Sequence, residues 1–371
     1  QTFRMQIDTG SGDTFISVFC PDCDGPGFAP IYEPNKSTTA VNKSTSGPFS
    51  FDNGDVVGYI FAETVQFGEY SVSNAEFCAT PFLGFLQTSG ALGLAFAGNA
   101  HTTNTPVWQA ALAQAPSPEF AIWLRRTKGT KSAGTEGPGG VFTLGGVNAS
   151  LFSGNVEYLN VTGPEDSFWQ LNISDISVRG KAMGVTTATR RAVIDTGFSF
   201  ILGPDADVAA LWGAVPGASK IKSRPGWYQF PCSTNLNFSI SFGGQTWPIN
   251  DTDMAMESIP PTNGICTGML LSDAVQASET DPDTGSWIIG VPFLLNVYTV
   301  FRREPPTIGF AELSTLAGGP GAFVFSSSSG VPISHIGSVF RYAQCNHHRQ
   351  RQRHPWHRTR TDGAIFDANQ P

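Results

Sequence analysis

Short apolar runs separated by glycine and proline make up most of the chain. The runs are rich in Val, Ile, Phe and Thr, and 41 Gly and 26 Pro are present among 371 residues. Runs of this kind, bounded by turn-forming residues, are typical of β-strands. Residues 106–115 and 206–215 are the best helix candidates, each of about two to three turns. The pattern predicts an all-β fold with a few short helices.

Two sequence features recur in the same order in both halves of the chain. An apolar run ends in Asp-Thr-Gly at Asp8 and again at Asp195, and a later apolar run carries Gly93 or Gly290. The separation from aspartate to glycine is 85 residues in the first half and 95 in the second. A repeat on this scale indicates two related lobes rather than a solenoid. The predicted lobes are residues 1–150 and 151–315, with the boundary within residues 145–154.

The composition excludes several classes of protein. With 40% hydrophobic and 14% charged residues, the chain has the apolar mass for a packed core. No apolar run approaches the roughly 18 residues that span a bilayer. Before residue 316 there are 28 acidic and 16 basic residues. An acidic chain binds the phosphate backbone poorly, so we expect neither nucleic-acid binding nor a membrane span.

Histidine is nearly absent before residue 316, where His101 is the only one. Ser-His-Asp and Cys-His catalysis, and most zinc chemistry, need a well-placed imidazole. If this part of the chain is catalytic, it must therefore use carboxylates. Nothing in the sequence suggests a metal or an organic cofactor.

Sequons and cysteines favour the secretory pathway, with a secreted or vacuolar location. We expect disulfides Cys20–Cys23 and Cys232–Cys266. The cytosolic alternative for the first pair is a redox or zinc motif, but no second C-x-x-C follows to complete a zinc site. Cys78 and Cys345 are either unpaired or left unassigned. The chain begins at Gln1 and is interpreted as a mature form or a fragment. The seven sequons are at Asn35, Asn42, Asn148, Asn160, Asn172, Asn237 and Asn250.

The segment 316–371 differs from the rest of the chain. A Gly/Ser-rich stretch leads into a His/Arg/Gln-rich run at residues 346–360, which cannot bury a core. We predict a disordered tail. The alternative is a basic interaction segment or a metal-binding tract.

Asp-Thr-Gly occurs three times, and the context separates the three copies. Asp8 and Asp195 lie between two apolar runs, whereas Asp283 lies in a polar turn and is not expected to be functional. Glycine allows a sharp turn and a close approach, and threonine supplies a hydroxyl that can join two loops. Two facing carboxylates share one proton, so one can act as general base on a water and the other as general acid.

These residues make the chain resemble the pepsin-like aspartic endopeptidases, closest to secreted fungal members, over roughly residues 1–315. Further matches lie at residues 145–148, 169–170, 287–293, 298–301 and 309–311. The resemblance implies a two-lobed fold with a cleft between the lobes and a monomer acting on polypeptides. It implies Asp8 and Asp195 as the catalytic pair. The implied supporting residues are Thr9 and Thr196, which brace the loops, Gly10 and Gly197, and Ser11, which binds the outer oxygen of Asp8.

The resemblance also implies a flap at residues 49–58 that closes over the cleft, and here the chain departs from the family. Phe51 and Phe15 replace a Tyr and a Trp that usually share a hydrogen bond. Losing both partners strands no polar group, so we expect a flap held by ring contact. The expected substrate-binding residues are Phe51, Asp52, Asn53, Gly54 and Phe198.

Three more departures bear on activity. Phe198 replaces a Ser or Thr that binds the second aspartate, so the pKa of Asp195 should be raised, unless Ser199 supplies a substitute hydroxyl. Val291 replaces a common Asp, and only seven residues precede Asp8 where the family has about two dozen more. The leading hypothesis is an endopeptidase working at acidic pH. The alternative is a protease-like peptide-binding protein that lacks turnover.

Overall fold

The structure is a computed structural model that describes nine ranges of the chain. These are residues 1–18, 30–44, 49–51, 56–80, 88–126, 139–163, 166–262, 264–275 and 287–319. All of them belong to one compact unit, Gln1–Val339. Most of the secondary structure in these ranges is β-strand, which confirms the predicted fold class.

Nine strands lie in the first part of the chain. They are β1 (Met5–Asp8), β2 (Phe15–Ser17), β3 (Val41–Asn42), β4 (Phe49–Phe51), β5 (Val56–Phe67), β6 (Tyr70–Thr80), β7 (Gly90–Gly93), β8 (Glu119–Leu124) and β9 (Gly140–Leu144). The strands that follow are β10 (Phe152–Asn160), β11 (Gln170–Asn172), β12 (Asp175–Val178), β13 (Lys181–Ala182), β14 (Arg191–Ile194), β15 (Ile201–Gly203), β16 (Ser219–Lys220), β17 (Tyr228–Pro231), β18 (Phe238–Ser241), β19 (Thr246–Pro248), β20 (Ala255–Thr262), β21 (Ile265–Gly268), β22 (Leu270–Ser272), β23 (Trp287–Ile289), β24 (Val297–Arg302) and β25 (Thr307–Leu313).

Within the described ranges these strands form five sheets. The largest has the order β1-β7-β2-β6-β5-β3, with β4 paired to β5. The others have the orders β10-β25-β24-β8-β9, β11-β14-β23-β15-β22, β13-β12-β18-β19 and β16-β17-β21-β20.

The sequence repeat corresponds to a repeat in strand pairing. In the first half, β1 pairs in parallel with β7, which pairs antiparallel with β2, and β2 pairs in parallel with β6. In the second half, β14, β23, β15 and β22 make the same three pairings in the same order. The two Asp-Thr-Gly loops therefore leave equivalent strands.

Gly93 and Gly290 explain the second feature of the repeat. A Cβ on Gly93 would collide with the carbonyl oxygens of Ser11 and Asp13, and one on Gly290 with those of Phe198 and Phe200. In both halves the colliding residues lie three and five positions after the aspartate. Each glycine lets its strand pass directly under the adjacent loop, because no side chain intervenes.

One sheet combines strands from distant parts of the chain. The hairpin β8–β9 pairs through β8 with β24, and β25 joins β24 to β10. This sheet contains residues from both predicted lobes, and the predicted boundary within residues 145–154 falls between its strands β9 and β10. The boundary itself stays a prediction.

Buried tryptophans connect the core to the first Asp-Thr-Gly loop. The indole N–H groups of Trp169 and Trp108 donate to the carbonyls of Leu94 and Ala95, each at 2.8 Å. The N–H groups of Leu94 and Ala95 in turn donate to the carbonyls of Asp8 and Ser11, at 2.7 and 2.9 Å. Both indoles are fully buried, so they fix the backbone beneath the loop.

Three α-helices are present in the described ranges: α1 (Val107–Leu112), α2 (Asp205–Gly213) and α3 (Val291–Leu294). Helices α1 and α2 begin within one residue of the predicted starts, and both end earlier than predicted. The sequence does not predict α3, because a four-residue helix with proline in its first turn has no periodic pattern. None of the helices in the described ranges is long and apolar enough to cross a bilayer.

Cys232 and Cys266 form a disulfide with an S–S distance of 2.02 Å, as the sequence predicts. It links the end of β17 to β21. Cys78 is a free, fully buried thiol. The predicted pair Cys20–Cys23 lies outside the described residues, as does Cys345.

The packed part of the chain extends slightly beyond residue 315. Ala317 is buried, and its carbonyl accepts a hydrogen bond from the indole N–H of Trp123 at 3.0 Å. Residues 316–319 therefore belong to the fold, although the sequence places the tail from 316 onward. Residues 320–371 lie outside the described part.

Candidate active site

The structure brings the two Asp-Thr-Gly loops face to face. A Cβ built on Gly10 would overlap the carboxylate of Asp195, and one on Gly197 would overlap the carboxylate of Asp8. Each carboxylate thus lies against the glycine of the opposite loop. Any side chain at either position would push the two aspartates apart, which explains why glycine follows threonine in both loops.

Thr9 and Thr196 join the loops by four buried hydrogen bonds. The N–H of each threonine donates to the hydroxyl of the other, at 3.1 Å from Thr9 and 3.0 Å from Thr196. Each hydroxyl then donates at 2.8 Å to a carbonyl of the opposite strand, Thr9 to Ile194 and Thr196 to Ile7. Both side chains are at most 1% exposed, so the bonds are shielded from water and hold the aspartates in register.

The two carboxylates have different hydrogen-bond partners. Oδ1 of Asp8 accepts from the N–H of Gly10 at 2.9 Å, and Oδ1 of Asp195 accepts from that of Gly197 at 2.7 Å. Oδ2 of Asp8 also accepts from the hydroxyl of Ser11 at 2.7 Å. The equivalent donor is lacking for Asp195, because Phe198 occupies the corresponding position.

Ser199 does not supply a substitute. Among the described residues, no side-chain hydroxyl donates to Asp195, and Ser199 makes no side-chain hydrogen bond that could reach it. Asp8 therefore accepts a side-chain hydroxyl bond that Asp195 lacks. A hydroxyl donor stabilises the anionic form of the carboxyl that accepts it.

The pKa of Asp195 is raised well above its ordinary value. Burial is the main cause, followed by the negative charge of Asp8 and a hydrogen bond shared with its carboxyl; the N–H groups of Gly197 and Gly10 oppose the shift. The direction agrees with the sequence prediction, although burial and Asp8, rather than the Phe198 ring alone, account for it. A raised pKa means that the protonated form of Asp195 persists to higher pH than that of an ordinary aspartate.

Phe198, three residues after Asp195, packs against an apolar cluster of the core. Its ring is half-buried and meets Phe200 edge-on, with ring centroids 6.0 Å apart, and Phe200 meets Trp227 at 5.3 Å. Ile288 and Met269 pack against the same cluster. Phe200 and Trp227 are at most 7% exposed, so the cluster is part of the core.

The base of the predicted flap is a short hairpin. Phe49 pairs with Gly58 and Phe51 with Val56, so β4 and β5 run antiparallel as expected. Asp52, Asn53 and Gly54, at the predicted tip, lie outside the described residues. Phe15 is half-buried on β2, and the expected ring contact with Phe51 stays a prediction.

Two polar residues near the loops are not predicted from the sequence. Gln6, two positions before Asp8, is buried and donates to the carbonyl of Gly197 at 3.3 Å. Asp13, five positions after Asp8, is 3% exposed and accepts from His101 through its N–H and Nδ1, at 2.8 and 2.9 Å. A polar residue inside an otherwise apolar run was the available signal for Gln6. No signal links Asp13 to His101, since 88 residues separate them.

In the described part of the chain, no group of three or more His, Cys, Asp or Glu side chains is placed to hold a metal ion. The chemistry of the site described above rests on two carboxylates, two backbone N–H groups and one hydroxyl.

Sequence comparison with known proteins identifies the family of this chain. The sequence model of the family described as eukaryotic aspartyl protease matches residues 1–313. Major aspartyl peptidase 1 of Cryptococcus neoformans var. grubii is 29% identical over 344 residues, covering 86% of this chain and 68% of that protein. Human cathepsin D is 27% identical over 341 residues, covering 85% of this chain and 78% of its own. An aspartic protease of Phaffia rhodozyma is 25% identical over 332 residues, covering 84% and 74%. The chain, with its paired Asp-Thr-Gly loops, belongs to the eukaryotic aspartyl protease family.

Proposed function

We propose that this chain cleaves peptide bonds at acidic pH with Asp8 and Asp195 as its catalytic pair. The observation that carries the proposal is the placement of each carboxylate against the glycine of the opposite loop, with the pKa of one of them raised. Two carboxyls with unequal proton affinity can serve as a base and an acid in one step. Membership of an aspartyl protease family supports the same assignment.

The asymmetry of hydrogen bonding supports a proposed role for each carboxyl. Asp8, which accepts from Ser11 and Gly10, carries the negative charge and removes a proton from a water molecule as that water attacks the substrate carbonyl carbon. Asp195 gives its proton to the carbonyl oxygen, so a neutral tetrahedral diol forms. On collapse, Asp8 returns its proton to the leaving nitrogen, the C–N bond breaks, and Asp195 regains a proton from a diol hydroxyl.

The substrate proposed is an extended polypeptide with apolar side chains beside the cleaved bond. The half-buried ring of Phe198, three residues after Asp195, supports that preference. Phe51, Asp52, Asn53 and Gly54 are proposed to cover the bound peptide from the flap. The chain is proposed to act as a monomer.

A location in the secretory pathway, secreted or vacuolar, is supported by two features. The Cys232–Cys266 disulfide is of a kind that persists in oxidising compartments. Several sequon asparagines are exposed, including Asn35, Asn160 and Asn250. Exposed sequons are compatible with glycosylation of the folded chain.

The test is cleavage of an unfolded protein substrate at about pH 3 to 5, where one carboxyl of such a pair is protonated. Asp8→Asn and Asp195→Asn should each lower the rate by at least about a hundredfold, as expected for loss of an acid or base. Asp166→Asn is the matched control, because Asp166 is exposed and its φ of 61° suits asparagine equally well.

A pepstatin-type transition-state mimic should bind the unmodified chain and inhibit it. Full activity in either catalytic-pair variant would refute the assignment. Binding of the mimic without any cleavage would favour the alternative, a peptide-binding protein without turnover. The family match and relatives named as aspartic peptidases favour the enzyme.

A further inference from the structure

Gln6 is a polar residue at a position where the two-fold repeat predicts an apolar one. It lies on β1, two residues before Asp8, and is 8% exposed. The equivalent residue of β14, two before Asp195, is Val193, which is 3% exposed and packs with Ala95 and Phe168. Burying an amide is unfavourable unless it is hydrogen-bonded, so the glutamine needs a specific partner.

The partner is the second catalytic loop. Nε2 of Gln6 donates to the carbonyl oxygen of Gly197 at 3.3 Å, across 191 residues of sequence. The N–H of the same glycine donates to Oδ1 of Asp195 at 2.7 Å. Gln6 therefore binds the carbonyl of Gly197, while the N–H of the same glycine binds the carboxylate of Asp195. Glycine has the least restricted backbone of all residues, so an external bond has the most to restrain here.

The bond compensates for a donor that the second loop lacks. In the first loop the Ser11 hydroxyl ties the backbone to the Asp8 carboxylate. In the second loop Phe198 has no hydroxyl. Val193, the counterpart of Gln6, has no side-chain donor and cannot bind the first loop in the same way. Each loop thus receives one side-chain hydrogen bond beyond the symmetric threonine brace, but from a different position.

We propose that Gln6 is a positioning residue that fixes the second catalytic loop from the opposite half of the chain, keeping the Gly197 N–H aligned on Asp195. This inference rests on the proposed function, because it assumes that Asp195 takes part in catalysis. The role is confined to alignment of the acid, and Gln6 does not touch the reacting atoms.

Gln6→Leu tests the role with a side chain of similar volume that cannot donate. We expect kcat to fall about three- to tenfold, as for loss of one hydrogen bond, with KM changed less than about twofold. The alkaline limb of the pH profile should also move to higher pH. A less well aligned Gly197 N–H stabilises the Asp195 anion less, so the pKa of Asp195 rises further. Among the described residues, Asp8 is the charged group that acts on Asp195, and this substitution leaves it in place.

Gln6→Glu provides a conditional rescue. A protonated carboxylic acid can donate to the Gly197 carbonyl, whereas its anion cannot. This variant should therefore match the unmodified enzyme at about pH 3, below the ordinary glutamate pKa of about 4.3, and lose activity as the pH rises. Because ionisation of a buried glutamate also destabilises a fold, thermal unfolding must show that Gln6→Glu is folded at each pH where its activity is compared.

Gln109→Leu is the control for burying leucine in place of glutamine. Gln109 is 5% exposed on α1, and its Nε2 has no partner among the described residues, so removing the amide should leave kcat and the pH profile unchanged. Thermal unfolding of each variant establishes that it is folded.

The outcomes separate the two proposals. If the unmodified chain shows no cleavage that depends on Asp8 and Asp195, the proposed function fails, whatever Gln6 does. The affinity of the pepstatin-type mimic, measured by calorimetry, then still tests Gln6, because a misaligned second loop should weaken it by a similar factor. Unchanged kcat, pH profile and mimic affinity in Gln6→Leu would overturn the role of Gln6.

Discussion

The effect of Phe198 on Asp195 can be tested by giving the second loop the hydroxyl that the first loop has. Ser11 lies three residues after Asp8 and donates to its Oδ2 at 2.7 Å. Residue 198 lies three residues after Asp195 in a loop with equivalent strand pairing. A threonine at 198 should therefore place a hydroxyl on the outer oxygen of Asp195. Phe198→Val is the matched control, because valine has the shape of threonine without the hydroxyl.

The size of the effect follows from the type of bond. A hydrogen bond to a charged group contributes about 1.5 to 3 kcal/mol. The hydroxyl stabilises the anion of Asp195, so the pKa of Asp195 should be lower in Phe198→Thr than in Phe198→Val. The lost contact between the rings of Phe198 and Phe200, about 0.5 to 1.5 kcal/mol, is common to both variants and cancels in the comparison.

The assay is the pH profile of kcat/KM on one peptide substrate. Asp195 must be protonated to act as the acid, so activity is present below its pKa and is lost as the pH rises through it. The alkaline limb should thus lie at lower pH in Phe198→Thr. Well above that limb, this variant should be at least about tenfold less active than Phe198→Val, since 1.4 kcal/mol is a factor of ten. Superimposable profiles for the two variants would refute the assignment of Asp195 as the acid.

Two further predictions concern stability. Thr9→Val leaves one carbonyl and one N–H of the opposite loop buried without partners, and should lower the free energy of unfolding in urea by about 2 to 6 kcal/mol; Thr9→Ser, which keeps the hydroxyl, should lose much less, and equal losses would contradict the brace. Replacing both Cys232 and Cys266 by alanine opens a loop with a sequence separation of 34 and should cost about 4 kcal/mol in the absence of reductant. Equal free energies of unfolding for the unmodified chain and the double variant, both without reductant, would contradict the predicted contribution of the disulfide.

Much of the site could be predicted from short stretches of sequence. An Asp-Thr-Gly between two apolar runs specifies a strand, a tight loop and a second strand, and these are local properties. Asp8 and Asp195 were therefore identified together with their threonines and glycines. The polar surroundings of Asp283 were equally local and separated it from the other two copies.

The rest depends on contacts between residues that are far apart in sequence. No local pattern predicts that β8 pairs with β24, where Phe301 lies opposite Phe120. The indole bond of Trp169 to Leu94 joins residues 75 positions apart. Gln6 could be noticed as an irregularity in an apolar strand, but its partner Gly197 becomes known only when the two loops are placed face to face.

The departures from two-fold symmetry decide which carboxyl is the acid. Two identical Asp-Thr-Gly loops, joined by reciprocal threonine bonds, would share one proton equally, and either carboxyl could serve as the acid. Unequal surroundings fix the two roles. In this chain the asymmetry arises outside the tripeptides: Ser11 gives Asp8 a hydroxyl donor that Phe198 cannot give Asp195, and Gln6, but not Val193, donates a hydrogen bond to the opposite loop. Exchanging residues 11 and 198, as Ser11→Phe with Phe198→Ser, should consequently shift the proton toward Asp8 while leaving the threonine brace intact.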